Sequence, residues 1–306
     1  MKDGFISRLK WSLKHDWQLY VLALPALIYL FIFKLMPIYG LQIAFKDYSP
    51  ARGFLNSKWI GFDHFERFFN SLQFWPVLRN TMVIGFYELF AGALPPVILA
   101  LLLHNMTNKK FKSFFQTISY APHFISTVVV CGMVILLFSP TSGAINAIIA
   151  ALGGEKYNFM ADPALFPHIY VWSGVWQKLG WSSILYLSAL AGADQELYEA
   201  AKVDGANKLQ RIIYLDVATV IPLFTIQFIM SCGSIMSAST QKVLMLQNSL
   251  NLPTSEIINT YVYKQGLTLM KYGYSSAIGL FQTIVDVTML LVVNKISGTI
   301  SENSLW

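Results

Sequence analysis

Apolar residues in this chain gather into long runs instead of alternating with polar ones. Six runs, at about 17–39, 77–103, 117–139, 168–190, 219–240 and 274–294, are each long enough to cross a hydrocarbon core of about 30 Å, which takes roughly 20 helical residues. The pattern predicts an all-α, polytopic membrane protein with six transmembrane helices. It divides a single domain over 1–306 into an N-terminal span at 17–39 with the loop at 40–76, and a five-helix bundle over 77–294. Pro25, Pro95, Pro96, Gly132 and Gly233 fall inside these runs, where membrane helices tolerate them because neighbouring helices satisfy the freed backbone groups.

The polar segments between the runs set an orientation. With the N-terminus inside, the inner segments 1–16, 104–116, 191–218 and 295–306 carry 11 Lys and Arg in 69 residues, and the outer segments 40–76, 140–167 and 241–272 carry 8 in 97. The inner excess favours an N-in, C-in topology, because Lys and Arg beside spans are retained on the cytoplasmic side. The outer loops are long and aromatic. The first contains Trp59-Ile-Gly-Phe-Asp-His-Phe-Glu-Arg-Phe-Phe, an amphipathic stretch that reads either as a short helix packed on the bundle or as one lying along the outer interface. No internal repeat is evident.

Composition agrees. The chain is 55% hydrophobic and 12% charged, about half the charge of a soluble domain. Its net charge of +6 sits mostly beside the apolar runs, so orientation in a bilayer explains it more simply than nucleic-acid binding does. Cys131 and Cys232 fall within apolar runs and form no spaced pattern, so they point neither to a disulfide framework nor to a metal site. The first run, from Trp17 to Met36, is too long for a signal-peptide core and is read as a retained span.

The segment 191–218 has the clearest local chemistry. Residues 194–203 (Asp-Gln-Glu-Leu-Tyr-Glu-Ala-Ala-Lys-Val) suit a short helix whose first-turn acids complement the helix dipole. Gly205 can adopt the positive φ that ends a helix, and Asn207 can cap a second one. A helix–turn–helix parallel to the membrane, exposed on the cytoplasmic side, is expected.

This stretch resembles the EAA loop of ABC-importer permeases of the binding-protein-dependent (MalF/MetI-like) superfamily. Glu199, Ala200, Ala201, Asp204, Gly205, Ala206 and Gln210 occupy the core positions of that pattern. Ala218 stands where the family usually has a Pro, while the second Pro is present as Pro222. The resemblance implies a cytoplasmic coupling-helix loop between spans 4 and 5 that docks into an ATPase subunit. It further implies a second, homologous permease subunit completing a heterodimer, an ATPase dimer that binds the ATP and Mg, and an extracellular solute-binding protein. The chain would then be a multi-pass subunit in a bacterial cytoplasmic membrane, without catalysis or a cofactor of its own. The stretch Phe111-Lys-Ser-Phe-Phe-Gln-Thr-Ile-Ser-Tyr-Ala-Pro-His-Phe-Ile-Ser is similar to the third-span entry of oligosaccharide and polysaccharide permeases of the LplB type. Lys242-Val-Leu-Met-Leu-Gln-Asn and Thr260-Tyr-Val-Tyr-Lys-Gln-Gly are similar to the last outer loop of that group. These similarities imply a carbohydrate substrate; an ABC permease for another solute is the alternative.

Catalytic patterns are absent from the sequence. There is no Gly-Lys dipeptide for a Walker A loop, no His-Glu-x-x-His and no Gly-x-Ser-x-Gly. The histidines are scattered without ligand spacing, and His123 reads as an interfacial hydrogen-bonding residue. A stand-alone secondary transporter would leave the 199–210 loop unexplained and commonly shows paired broken repeats. A membrane-embedded enzyme would lack a catalytic cluster.

Ionisable groups inside spans are costly and mark functional candidates. Lys34 and Arg79 lie near span ends and can snorkel. Glu88, Lys178 and Asp286 lie deeper, read either as a structural ion-pair set or as part of a translocation pathway. Gln227, Ser231, Ser234 and Gln241 fall at one face of a continuous helix. They suit hydroxyl-bearing cargo, and equally close helix packing. Trp172, Trp176 and Tyr186 are candidate sugar platforms, with belt and core roles as the alternative.

Overall fold

The computed structural model describes residue 11, residues 15–300 and residue 305. All the Lys and Arg counted in the inner segment 1–16 therefore lie outside the described residues. We number the principal helices α1 (Trp17–Leu30), α2 (Asp63–Phe69), α3 (Phe74–His104), α4 (Lys109–Tyr120), α5 (Thr127–Leu137), α6 (Phe166–Ala191) and α7 (Gln195–Val203). They continue with α8 (Lys208–Cys232), α9 (Thr240–Leu246), α10 (Ile258–Tyr263) and α11 (Tyr272–Ile300). Short helical turns link them.

Among the described residues, four helical stretches are long and apolar enough to span a membrane: Trp17–Phe45, α3, α8 and Tyr272–Thr299 within α11. The 26-residue α6 matches them in length but carries Gln177 and Lys178 at its middle. α3 and α6 pack along each other and form the spine of the bundle. Near one end, Ile84 of α3 and Tyr170 of α6 bury against Val130 of α5 and Val243 of α9. At the other end Ala100, Leu190 and Val220 close the core between α3, α6 and α8. α1 buries no residue; the 3₁₀ stretch Met36–Phe45 that follows it lies against α11.

The loop at 40–76 is a compact cap. Lys46–Asp47 and Lys58–Trp59 form an antiparallel two-stranded clip. α2 then packs Phe65 and Phe68 inward, on the side of α11. The amphipathic stretch is thus a helix packed on the bundle: Phe68 is fully buried among Phe74, Tyr261, Tyr274 and Phe281.

Two predicted spans differ from the fold. The run 117–139 is not one helix: α4, continued by a 3₁₀ turn over Ala121–Phe124, and α5 meet at 102° across a break at residues 125–126. Pro122 has no N–H to give, and Ser126 restarts the helix by accepting the Val129 N–H. α5, with 11 residues, is about 16 Å long and covers only half of a hydrocarbon core.

The run 219–240 is also displaced. Its helix begins at Lys208, passes through a π turn at Ile212–Asp216 and stops at Cys232. The second helix of the expected helix–turn–helix is therefore the first turn of this span. The stop has a partner: Asp286 of α11 accepts the Met236 N–H and the Ser237 hydroxyl, both at 2.9 Å, and Gln282 donates to the Met236 carbonyl at 2.8 Å. Side chains of α11 thus satisfy the backbone that the interrupted helix leaves open.

Candidate functional site

The 194–210 loop is built as its local chemistry predicts. Asp194 caps α7 by accepting the Glu196 N–H at 2.9 Å. The helix closes with the Ala206 N–H on the Ala201 carbonyl (2.9 Å) and the Gly205 N–H on the Lys202 carbonyl (3.1 Å). This paired termination needs a left-handed residue, and Gly205 supplies it with φ of +78°. Asn207 and Gln210 then form a reciprocal capping box: each backbone N–H donates to the other's side-chain oxygen, at 2.8 and 2.9 Å. Gln210 therefore sets the angle at which α8 leaves the loop.

The loop presents an apolar, small-residue face. Glu199, Ala200, Asp204, Gly205 and Gln210 are exposed, and Ala201 and Ala206 are half-buried. Around them Val203 is 88% and Tyr214 74% exposed, with Leu197, Leu209 and Ile213 also open. Large apolar side chains exposed together on one loop mark a candidate place for another surface to sit.

Behind the loop lies a buried joint that the sequence reading missed. Asp216 is 1% exposed. It accepts the Tyr198 hydroxyl at 2.5 Å and the Asn105 amide at 2.6 Å, while His104 lies 4.0 Å away. Burial, together with the adjacent carboxylate, pushes the Tyr198 phenol above its ordinary value. The only available signal was an Asp at the start of an apolar run.

Between α3, α6 and α8 the chain encloses a partly open cavity of about 710 Å³. It brings together Glu88, Lys178, Gln227, Ser231 and Ser234. Lys178 donates to Glu88 at 3.2 Å, so the ion pair forms part of the cavity wall. Ser231 and Ser234 donate their hydroxyl protons to the Gln227 and Ser231 carbonyls, which leaves their oxygens as acceptors. Tyr186 and Trp181 line the same wall; Trp181, which the sequence did not single out, stacks on His123 at 4.4 Å.

Other expected residues lie elsewhere. Asp286 is 7% exposed, does not line the cavity and holds the segment that follows α8. Gln241 sits on α9, beyond the end of α8, so the four polar positions do not share one continuous helical face. Neither Trp172 nor Trp176 lines the cavity, and Trp172 donates to the Tyr87 hydroxyl at 2.8 Å.

A smaller pocket of about 160 Å³ shares Glu88, Gly174, Lys178 and Ser237 with the large one. It contains Lys242, whose ammonium donates to the Tyr170 carbonyl at 2.5 Å and lies 4.6 Å from the Tyr170 ring centre. Lys242 is 6% exposed, and no ion pair to a carboxylate forms at its ammonium among the described residues. The sequence placed Lys242 among ordinary outer-loop charges; only the return of α9 against α6 buries it. Among the described residues no cluster of three or more His, Cys, Asp or Glu could hold a metal.

Residues 96–298 match the family described as "Binding-protein-dependent transport system inner membrane component". Protein LplB of Bacillus subtilis (strain 168) is 38% identical over 295 residues, covering 96% of this chain and 93% of LplB. The polygalacturonan/rhamnogalacturonan transport system permease protein YteP of the same organism is 36% identical, covering 94% and 90%. Among solved structures, a chain from a bacterial alginate ABC transporter in complex with alginate pentasaccharide-bound periplasmic protein superposes with a TM-score of 0.89 at 33% identity, over 97% of this chain and 100% of that one. A chain from a bacterial ABC transporter involved in import of the acidic polysaccharide alginate gives 0.88 at 34% identity, over 96% and 99%.

Proposed function

We propose, on the premise that this chain belongs to the family of binding-protein-dependent transport system inner membrane components, that it carries acidic polysaccharide fragments across a bacterial cytoplasmic membrane. The chain is a permease subunit of an ABC importer and is not itself an enzyme; ATP is hydrolysed by a separate subunit.

One observation carries the substrate reading. The cavity between α3, α6 and α8 offers hydroxyl and amide acceptors beside an aromatic wall, and its charges do not balance. Glu88 bonds to Lys178 and also acts electrostatically on the adjoining, buried Lys242, so one carboxylate faces two ammonium groups. A buried cation short of counter-charge is costly, and a sugar carboxylate arriving in the cavity would make up the deficit. The similar alginate transporter is involved in import of an acidic polysaccharide, and YteP belongs to a polygalacturonan/rhamnogalacturonan transport system, which supports the same reading.

The cavity is only partly enclosed, so a second, homologous permease completes its wall. Counting α4–α5 as one bent span and adding α6, the chain crosses the membrane six times, with both termini and the 194–210 loop inside. The exposed apolar face around Val203 and Leu209 docks on an ATPase dimer. Closure of that dimer on ATP draws the Glu199–Gln210 loops of the two permeases together and turns the cavity outward. A solute-binding protein outside delivers the sugar.

The test is reconstitution of the chain with its companion permease, ATPase and binding protein in lipid vesicles. Oligo-uronides should stimulate ATP hydrolysis more than neutral oligosaccharides of equal length. Stimulation by neutral sugars alone would overturn the acidic reading, and failure to capture an ATPase would overturn the docking role of the loop.

A further inference from the structure

Among the described residues, a polar joint links α7, which carries the docking face, to the membrane helices. Asp216 ends the π turn that follows the first turn of α8. One carboxylate oxygen accepts the Tyr198 hydroxyl from α7; the other accepts the Asn105 amide from the residue that ends α3. Lys208, at the start of α8, donates to the Asn105 carbonyl at 3.1 Å, and Asn105 also donates to Leu101 at 3.0 Å. The loop is thus bonded to two different membrane helices through three side chains. The carboxylate sits at the centre, removed from water, where hydrogen bonds to a charged group are strongest.

The backbone at this place can change length. A π turn holds one residue more than an α turn and can be absorbed by shifting the helix register by one position. A rigid α7, moved by whatever docks on it, pulls on Asp216. Asp216 can transmit the pull along α8 through the π turn and, by way of Asn105, along α3. Those two helices form two of the three cavity walls.

We propose that Tyr198, Asp216 and Asn105 form the joint that transmits displacement of the coupling loop to the cavity, with Asp216 as its central positioning residue. This rests on the proposed docking of the 194–210 loop on an ATPase. It names the residues through which that docking reaches α3 and α8.

The experiment uses the whole reconstituted transporter with Tyr198→Phe, Asp216→Asn, and the exchange Asn105→Asp with Asp216→Asn. Three quantities are read: capture of the ATPase, ATP hydrolysis, and oligo-uronide taken up per ATP. Tyr198→Phe removes one hydroxyl and keeps the ring. It should leave capture and basal hydrolysis within twofold of the parent while uptake per ATP falls about tenfold or more, the scale of one hydrogen bond to a charged group. Asp216→Asn places two amides face to face and should fall at least as far. In the exchange, the residue 216 oxygen still accepts from Tyr198 and its amide donates to the new carboxylate, so uptake per ATP should recover to within about threefold. Uptake per ATP unchanged in Tyr198→Phe would overturn the proposal. So would a loss of capture in step with uptake, or an exchange no better than Asp216→Asn. A parent complex that captures no ATPase would instead fail the docking reading on which the joint depends.

Discussion

Gly85 of α3 comes so close to the Ile235 backbone, in the segment that follows α8, that no side chain fits between them. A Cβ at this position of α3 would lie 2.0 Å from the Ile235 carbonyl oxygen and 3.1 Å from its carbon. Carbon and oxygen not bonded to each other stay about 3 Å apart or more, so Gly85→Ala forces a displacement of about 1 Å. The obstacle is backbone, and that backbone is pinned: Asp286 and Gln282 hold the next two residues by bonds of 2.8 to 2.9 Å. A shift of that size lengthens those bonds to nearly 4 Å, beyond hydrogen-bonding distance. Losing one bond to the buried carboxylate costs about 1.5–3 kcal/mol, and overpacking adds about 1–3 kcal/mol. Gly85→Ala should therefore destabilise the protein by about 3 kcal/mol or more. Gly92→Ala is the internal control: it lies two turns further along the same helix and lines the same cavity, yet its Cβ would meet nothing within 4 Å. Helix propensity alone should make that variant up to about 1 kcal/mol more stable. Thermal unfolding of the two purified variants in the same detergent reads the difference, expected as a melting point at least about 6 °C lower for Gly85→Ala than for Gly92→Ala. Equal melting points would refute the close approach of α3 to Ile235.

Three further outcomes follow from the site. Gly205→Trp places a side chain at φ of +78°, which costs about 1–2 kcal/mol in the loop, and blocks the docking face; ATPase capture and uptake should both fall at least about tenfold while membrane insertion is unchanged, as read by pull-down and membrane fractionation. Lys242→Gln removes the buried positive charge and should reduce oligo-uronide uptake about tenfold or more, with neutral-sugar uptake changed less than threefold in parallel transport assays. Ser231→Leu combined with Ser234→Leu fills the cavity between α3, α6 and α8; substrate passage should stop while ATP hydrolysis continues, and failure of the subunits to assemble would assign these serines to packing.

The sequence by itself determined the class of the protein, because long apolar runs leave backbone groups with no solvent to bond and only helices satisfy them internally. It also determined the 194–210 loop, with its short first helix, the left-handed Gly205 and the cap at Asn207, since each depends on residues within a few positions of one another. Tertiary structure decided what distant partners control. The run 219–240 looks uninterrupted, yet its helix ends at Cys232, where Asp286 and Gln282, about 50 residues away, take over the bonds of the broken segment. For the same reason Asp286, which reads in sequence either as part of a structural ion-pair set or as a pathway charge, is in the fold bonded to the backbone N–H of Met236. Glu88 and Lys178, 90 residues apart, meet only because α3 and α6 lie side by side. The burial of Lys242 against Tyr170 and the convergence of Tyr198, Asp216 and Asn105 likewise depend on helix ends that the chain brings together after folding. Helical periodicity tells which residues share a face of one helix. It carries no information about which helix that face will meet, and in this protein that meeting decides where charge is buried and which groups line the cavity.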